Sequence, residues 1–243
     1  MSTEIASWKS DLEAAATKIA KNERNDDNGF ISLKSGIMTY QDNPIRDNKL
    51  EVVVVAASFA RSCFMRPYDA DDKAPPECFS NAIDAVDLAP HENVPTPFAT
   101  VCNEKSCEWA VFGSALQGAG PRCKTRRKLM VMPVSGLDNP IEADIATLAL
   151  PPTSIKNWSS YANKIASGAG LPPWGVKTMI TVRPHPKKQF EVTFESTGPI
   201  EGDTTLSAIH SRIAEAETTL LQPYTYDTDE APTPAAGKKS SKY

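Results

Sequence analysis

The chain has 243 residues, of which 40% are hydrophobic and 7% aromatic, enough for one large domain with a modest core. Its formal net charge of −4 excludes a uniformly basic nucleic-acid-binding protein, so any anion-binding face must be local. No apolar run approaches the ~20 residues of a membrane helix, and the polar start indicates no signal peptide. We therefore expect a cytoplasmic protein without membrane contact, whose five cysteines stay reduced.

The first predicted element is a helix over residues 3–22, because apolar side chains recur there at three- and four-residue steps. A polar, turn-rich break follows, so residues 1–28 are assigned to an N-terminal helix and linker. From Phe30 the period changes to two. Strands are predicted over 30–40, with a bulge at Gly36, and over 49–59.

Residues 67–127 differ from the rest of the chain. They are rich in proline, cysteine, asparagine, aspartate and glycine, and they show little periodicity. A stretch of this length without a core of its own is unusual inside a compact domain. We therefore expect an insertion that something other than apolar packing organises.

Regular patterns return after this insertion. The further predicted elements are strands over 128–134 and 145–150, a helix over 154–167, strands over 176–183 and 189–195, and a helix over 204–221. Thr153 or Ser154 can cap the first of these helices and Gly168 can end it. Residues 222–243 are polar and are predicted to form a disordered tail.

These elements predict an α+β fold. The preferred architecture is an OB-like β-barrel with flanking helices over residues 29–221, carrying the insertion 67–127. The pattern leaves a β-sandwich open as the alternative.

Four cysteines suggest what organises the insertion. A close pair, Cys102 and Cys107, has single partners at loop distance, Cys78 and Cys123, which fits a tetrahedral tetrathiolate zinc site. A structural zinc contributes on the order of 10 kcal/mol to the folding of such a segment, against ~2 kcal/mol for each buried apolar side chain. The insertion is therefore predicted to be stapled by structural Zn²⁺.

Other interpretations of the same residues stay open. The cysteines can be ordinary buried thiols, and His91 can replace Cys78 as a ligand. Cys63, in a strand-like stretch, is interpreted as a core thiol. None of the three histidines has a catalytic signature and no paired-carboxylate motif stands out, so we expect no enzyme.

A basic stretch leads into the strand at 128–134. Five cations surround Cys123 without an acidic residue among them, and such a run of positive charge can bind phosphates. Aromatic side chains nearby can add to the binding by stacking on bases. The alternative is a solvated edge strand with core aromatics. The predicted nucleic-acid-binding residues are Lys34, Tyr40, Trp109, Phe112, Arg122, Lys124, Arg126, Arg127, Lys128, Arg183, Lys187 and Lys188.

Four segments carry a resemblance to a known family. They are Phe30-Ile-Ser-Leu-Lys-Ser-Gly, Pro76-Glu-Cys-Phe-Ser, Phe112-Gly-Ser, and Gly118-Ala-Gly-Pro-Arg-Cys-Lys-Thr-Arg-Arg-Lys-Leu. Together, over about residues 29–135, they resemble a group of bacteriophage single-stranded DNA-binding proteins. The resemblance implies that the four cysteines named above are the metal positions and that Lys124, Arg126 and Arg127 belong to the nucleic-acid face. The wide Cys102–Cys107 gap and Arg122 before the last cysteine depart from the family pattern.

The expected function is therefore non-enzymatic binding of single-stranded DNA, without strong sequence preference, in phage DNA replication, recombination or repair. The expected location is the host cytoplasm, and phage replication proteins are further expected partners. Homo-oligomerisation stays open. The alternative is a zinc-containing protein-interaction module that docks a host or phage polymerase component. The two differ in a gel shift with single-stranded oligonucleotides.

Overall fold

The structure is a computed structural model that describes residues 29–41, 43–67, 74–115 and 120–224. The helix predicted over 3–22 and the predicted tail from residue 225 onward lie outside these residues. Within the described ranges, no helix is long and apolar enough to cross a membrane.

The structure contains strands, helices and short 3-10 turns. The strands are β1 (Phe30–Ser32), β2 (Thr39–Tyr40), β3 (Asn43–Pro44), β4 (Lys49–Cys63), β5 (Cys78–Ala82), β6 (Cys123–Pro133), β7 (Ala146–Leu150), β8 (Val176–His185) and β9 (Gln189–Pro199). The helices are α1 (Pro152–Ala169), α2 (Asp203–Ser211) and α3 (Ile213–Leu221). The 3-10 turns cover Lys34–Gly36, Arg46–Asn48, Ala85–Asp87, Glu108–Ala110, Val134–Asp138 and Pro173–Gly175.

The chain divides into two compact units. Among the described residues, the first unit comprises residues 29–41, 43–58 and 126–220, and the second comprises residues 59–67, 74–115, 120–125 and 221–224. The described part of the second unit includes the end of β4, all of β5 and the start of β6.

The strands form one sheet in the order β3-β2-β1-β7-β6-β4-β8-β9, with β5 paired to β4. Pairing is antiparallel in the described ladders except between β1 and β7, where Phe30 lies beside Thr147. The Lys34–Gly36 turn directly follows β1, yet it contacts β8 and β9 near the opposite end of the sheet. The sheet of the first unit is therefore curled, and the coarse prediction of a mixed α+β fold with few helices is confirmed.

The central strands β4 and β6 are buried on both faces in the first unit. Val52 and Val54 face a first core together with Leu129 and Val131, whereas the residues between them face a second core. Side chains alternate across a strand, so two adjacent apolar faces require a continuous apolar sequence. The second core packs these strands against α2 and α3.

The apolar face predicted for helix α1 is confirmed, whereas the residues predicted to cap the helix are wrong. Trp158, Tyr161 and Ile165 enter the first core, as the spacing predicts. Pro151 occupies the N-cap position without a side-chain bond, so neither predicted capping residue acts as one. The helix also continues through Gly168, and it ends at Gly170, whose φ of 65° is the left-handed conformation that glycine adopts readily.

Other boundaries also differ from the predictions. The segment predicted as one strand over 30–40 is interrupted by a 3-10 turn, in which Ser35 has φ of 57°. The insertion contains the strand β5, and β6 begins at Cys123 rather than at 128. The last helix is divided at Arg212 into α2 and α3.

Candidate metal centre and nucleic-acid interface

Three of the five cysteines share one buried cluster in the second unit. Cys63 lies directly opposite Cys78 in the β4–β5 ladder, and Cys123 begins β6. All three belong to a third core, which also contains Phe79 and Val94. Strand pairing and apolar packing therefore bring thiols together that are far apart in the sequence.

The remaining two cysteines, Cys102 and Cys107, lie in a loop with its own turn. The side-chain oxygen of Asn103 accepts hydrogen bonds from the N–H groups of Lys105 (2.9 Å) and Ser106 (2.8 Å). The N–H of Cys107 donates to the carbonyl of Asn103 at 3.1 Å. The four-residue gap between these cysteines is thus closed by local hydrogen bonds.

The thiols influence one another's ionisation. A hydrogen bond between Cys63 and Cys123 lowers the pKa of Cys123 to about 7 and, with burial, raises the pKa of Cys63 well above its usual range. Burial raises the pKa of Cys78, and it raises that of Cys102 to about 11. Cys78 interacts electrostatically with Cys107 and Cys123, and Cys102 interacts with Cys78 and Cys123. All five thiols are therefore close enough to influence one another. We call these five residues the thiol cluster.

Two arginines accompany the thiol cluster. Arg61, on β4, hydrogen-bonds Cys123 and contributes to the lowering of its pKa. Arg122 precedes Cys123 in the chain, and its positive charge acts on Cys63. Guanidinium groups beside thiols offset the negative charge that deprotonation creates.

The donor chemistry of this cluster fits zinc, although the coordination geometry is not formed. Among the residues that the structure describes, no three His, Cys, Asp or Glu side chains are arranged as a group that could hold a metal ion. Cysteine sulfurs next to guanidinium groups nonetheless supply the soft donors that a tetrathiolate site requires, once metal binding displaces their protons. His91, the alternative ligand, stacks on Phe79 with ring centroids 4.9 Å apart, and its Nδ1 accepts the N–H of Asn93.

Predicted nucleic-acid-binding residues of the second unit are partly engaged in internal packing. The guanidinium of Arg122 lies 5.3 Å from the ring centroid of Trp109 and donates to the carbonyl of Met65 at 3.2 Å. Lys124 is half-buried, with its Nζ close to Gly120. The side chain of Phe112, by contrast, is 73% exposed.

In the first unit, the basic residues of β6 are divided between its two faces. Arg126 is exposed and Lys128 follows two positions later, so these two side chains share a face, whereas Arg127 points to the other. Burial lowers the pKa of Arg127 to about 10. Burial, and then the charge of Arg126, lower the pKa of Lys128. The continuous basic run is therefore not one continuous track of charge.

The remaining predicted cations of the first unit lie around the β8–β9 hairpin. Arg183, Lys187 and Lys188 are exposed at its tip, where the N–H of Lys188 donates to the carbonyl of His185 at 3.2 Å. The turn that carries exposed Lys34 packs on the same hairpin. A Cβ atom on Gly36 would lie 3.3 Å from that of Phe190. We call Lys34, Arg183, Lys187 and Lys188 the hairpin patch.

Tyr40 has a different environment from these cations. It is half-buried and packs against the first core, and it lines a small apolar recess with Ile31 and Leu50. Its ring is therefore largely committed to packing within the first unit.

The sequence analysis does not assign Arg61 or Cys63 to the thiol site. Arg61 and Cys63 lie on the same face of β4, beyond the predicted end of that strand at residue 59. The usable signal is that residues 60–66 contain no proline or glycine, so the strand can continue beyond its predicted end.

Comparisons with protein-family models, with curated proteins and with solved structures give no match for this chain. The functional assignment therefore rests on the residues and contacts described above, together with the resemblance in the sequence.

Proposed function

We propose that this chain is a non-enzymatic single-stranded DNA-binding protein that acts in phage DNA replication, recombination or repair. Its core domain is taken as OB-like, and its cysteine-rich insertion as stapled by a structural zinc ion. The observation that carries the proposal is the hairpin patch, where exposed Lys34 lies on a turn that contacts the β8–β9 hairpin, which itself carries three further exposed cations.

Electrostatics supports phosphate binding at the hairpin patch. The four side chains are exposed, so they can approach a phosphate backbone without being desolvated first. The nearby acidic residue Glu191 lies opposite Arg183 in the β8–β9 ladder and reduces the local positive charge. The net charge of −4 keeps such binding local, because acidic regions elsewhere repel the polyanion.

Exposed aromatic side chains favour single strands over duplexes. Phe30 is 55% exposed at the start of β1, and Phe112 is 73% exposed in the second unit. A ring that stacks on an unpaired base contributes ~1–3 kcal/mol per base, and it does so for any base. Duplex bases are already stacked on each other, so this contribution is specific to single strands and tolerant of sequence.

The cysteines supply the structural part of the proposal. Cys78, Cys102, Cys107 and Cys123 would hold the metal ion, and the bound ion would contribute folding free energy to the second unit. Arg61 and Arg122 would offset the excess negative charge of four thiolates on a divalent ion.

One observation favours the alternative of a protein-interaction module. In the second unit, the apolar side chains of Val86, Val101 and Val111 are exposed to 89%, 42% and 43%. Where exposed apolar side chains form one contiguous patch, they mark a protein-docking surface. A pull-down with phage or host polymerase components tests this candidate independently of DNA binding.

The test of DNA binding is a salt titration of the affinity for a fluorescent oligo(dT). Lys187→Ala/Lys188→Ala should make the slope of log K against log salt shallower by about 1.4, because each phosphate contact on a single strand contributes about 0.7. Lys156→Ala/Lys164→Ala, which removes two exposed lysines from α1 of the same unit, is the matched control and should leave the slope unchanged. Wild-type protein that fails to bind at low salt contradicts the proposal.

A further inference from the structure

Cys63, which the sequence assigns to the core, lies inside the thiol cluster. It faces Cys78 across the β4–β5 ladder, where the Cβ atoms of opposed residues are typically ~4.5–5.5 Å apart. Its thiol is also hydrogen-bonded to Cys123. Sulfurs bound to one tetrahedral zinc lie about 3.8 Å apart, because each Zn–S bond is ~2.3 Å. The described residues form no group that already holds a metal ion, so binding would have to draw these neighbouring sulfurs closer together.

The cysteines differ in how firmly the fold holds them. Cys63, Cys78 and Cys123 all lie on strands and share the third core, where their relative exposures are 1%, 7% and 7%. Cys102 and Cys107 lie in a loop that is closed by its own hydrogen bonds. A metal site gains most from ligands that are already fixed, so the three strand cysteines form the natural base of the site.

The two arginines of the thiol cluster's surroundings, Arg61 and Arg122, also lie near Cys63. Arg61 precedes it by two residues on the same face of β4, and Arg122 acts on it electrostatically. The Nε atoms of both arginines are buried, and they have no hydrogen-bond partner in the described part of the chain. Positive charge is therefore held beside Cys63 and Cys123, where thiolates would need it.

We propose that Cys63 is a metal ligand. Cys63, Cys78 and Cys123 supply three of the four ligands, and one cysteine of the Cys102/Cys107 pair supplies the fourth. This inference rests on the zinc site of the proposed function and changes its ligand set. The second cysteine of the loop pair is then a spare thiol, beside the coordination sphere.

Cobalt substitution of the full-length protein tests this ligand set, because sulfur-to-cobalt charge transfer reports the number of bound thiolates. Cys63→Ser should lose about one quarter of the charge-transfer intensity of the wild type, since one of four thiolates is removed. Its affinity for Co²⁺ should fall at least about tenfold. Of Cys102→Ser and Cys107→Ser, one should lose intensity and the other should keep it.

Two results would overturn the inference. If Cys63→Ser matches the wild type in intensity and affinity while both loop variants lose intensity, Cys63 is no ligand and the inference is overturned. If the wild type itself shows no charge transfer, the zinc site and the role of Cys63 fail together. Oligo(dT) binding, measured on the same sample, shows whether the DNA-binding part of the proposed function survives that result.

A separate measurement guards against misfolding of the variants. Far-ultraviolet circular dichroism of each metal-free variant is compared with that of the wild type. Should Cys63→Ser unfold because it places a hydroxyl in the core, Cys63→Ala replaces it, since alanine leaves no buried polar group. The expected losses of intensity and affinity are the same for both variants.

Discussion

At the scale of single residues, Arg212 shows how one side chain can fix a loop. Its guanidinium donates to three main-chain carbonyls, those of Pro140 (2.8 Å), Ile141 (2.7 Å) and Ala143 (3.1 Å). It also pairs with Glu215 at 2.6 Å. The same residue separates α2 from α3, so one cation links this helix junction to the loop before β7.

Arg212→Ala should lower the free energy of unfolding by about 2–4 kcal/mol, because three carbonyls lose hydrogen bonds to a charged donor. Urea denaturation followed by circular dichroism measures the loss. Glu215→Ala is the control, since the Glu215 side chain is 56% exposed and such ion pairs contribute less than about 1 kcal/mol. Equal losses for both variants would show that the ion pair, and not the carbonyl contacts, matters.

At the scale of elements, helix α1 protects the edge strand β9. The N–H of Val192 donates to the hydroxyl of Ser154 at 2.9 Å, and its carbonyl accepts the side-chain N–H of Asn157 at the same distance. Unpaired main-chain groups on an edge strand invite pairing with other chains. Two polar side chains of α1 thus form hydrogen bonds with main-chain groups of β9 that would otherwise be unpaired.

Ser154→Ala should destabilise the protein by about 1–3 kcal/mol, because the buried N–H of Val192 loses its acceptor. Thr153→Ala is the matched control: Thr153 is exposed, and its substitution should change stability by no more than about 0.5 kcal/mol. Thermal denaturation of both variants separates the two roles. A larger loss for Thr153→Ala would restore the N-cap role that the sequence predicts for it.

The elements also show what a sequence can and cannot predict here. Strand β4 follows from its continuous apolar run, and strands β8 and β9 and helix α1 follow from their apolar periodicity, and both patterns are local properties of the sequence. Strand β5 does not, because Cys78–Ala82 is short, lies among turn-forming residues and depends on pairing with distant β4. The break at Arg212 is not predictable from the residue itself, because arginine favours helices, and its side chain bonds carbonyls about seventy positions away.

The candidate site was predictable to a similar extent. Spacing alone groups Cys102 with Cys107 and suggests distant partners for them. It does not include Cys63, because the predicted strand ends at residue 59 and its partner β5 was not expected. The hairpin tip at Arg183–Lys188 was predicted, but its association with Lys34 depends on the curl of the sheet.

At the scale of the whole molecule, buried apolar side chains are unevenly distributed between the two units. The first and second cores contain most of the large buried side chains, and both belong to the first unit. The third core, in the second unit, contains Phe79 and Val94 with three thiols. The second unit thus has less apolar burial to hold it, and it stands to gain more from a bound ion.

This difference gives a prediction for hydrogen exchange under chelation. Removing zinc from the metal-loaded protein should speed exchange at the amides of β5, while the amides of Val52–Val55 stay protected by the two large cores. Mass spectrometry of peptides from both regions measures this, and a chelator saturated beforehand with zinc is the control. Unchanged exchange in β5 would mean that the metal does not support the second unit.

The four consecutive valines of β4 have one more consequence. Val52 and Val54 fill one core, and Val53 and Val55 fill the other. If the strand shifted by one position, each core would still receive valine side chains over most of this run. These residues therefore barely distinguish the correct register from the neighbouring one. The alignment must therefore be chosen at the ends of the run, where a misplaced Glu51 would be forced toward an apolar interior.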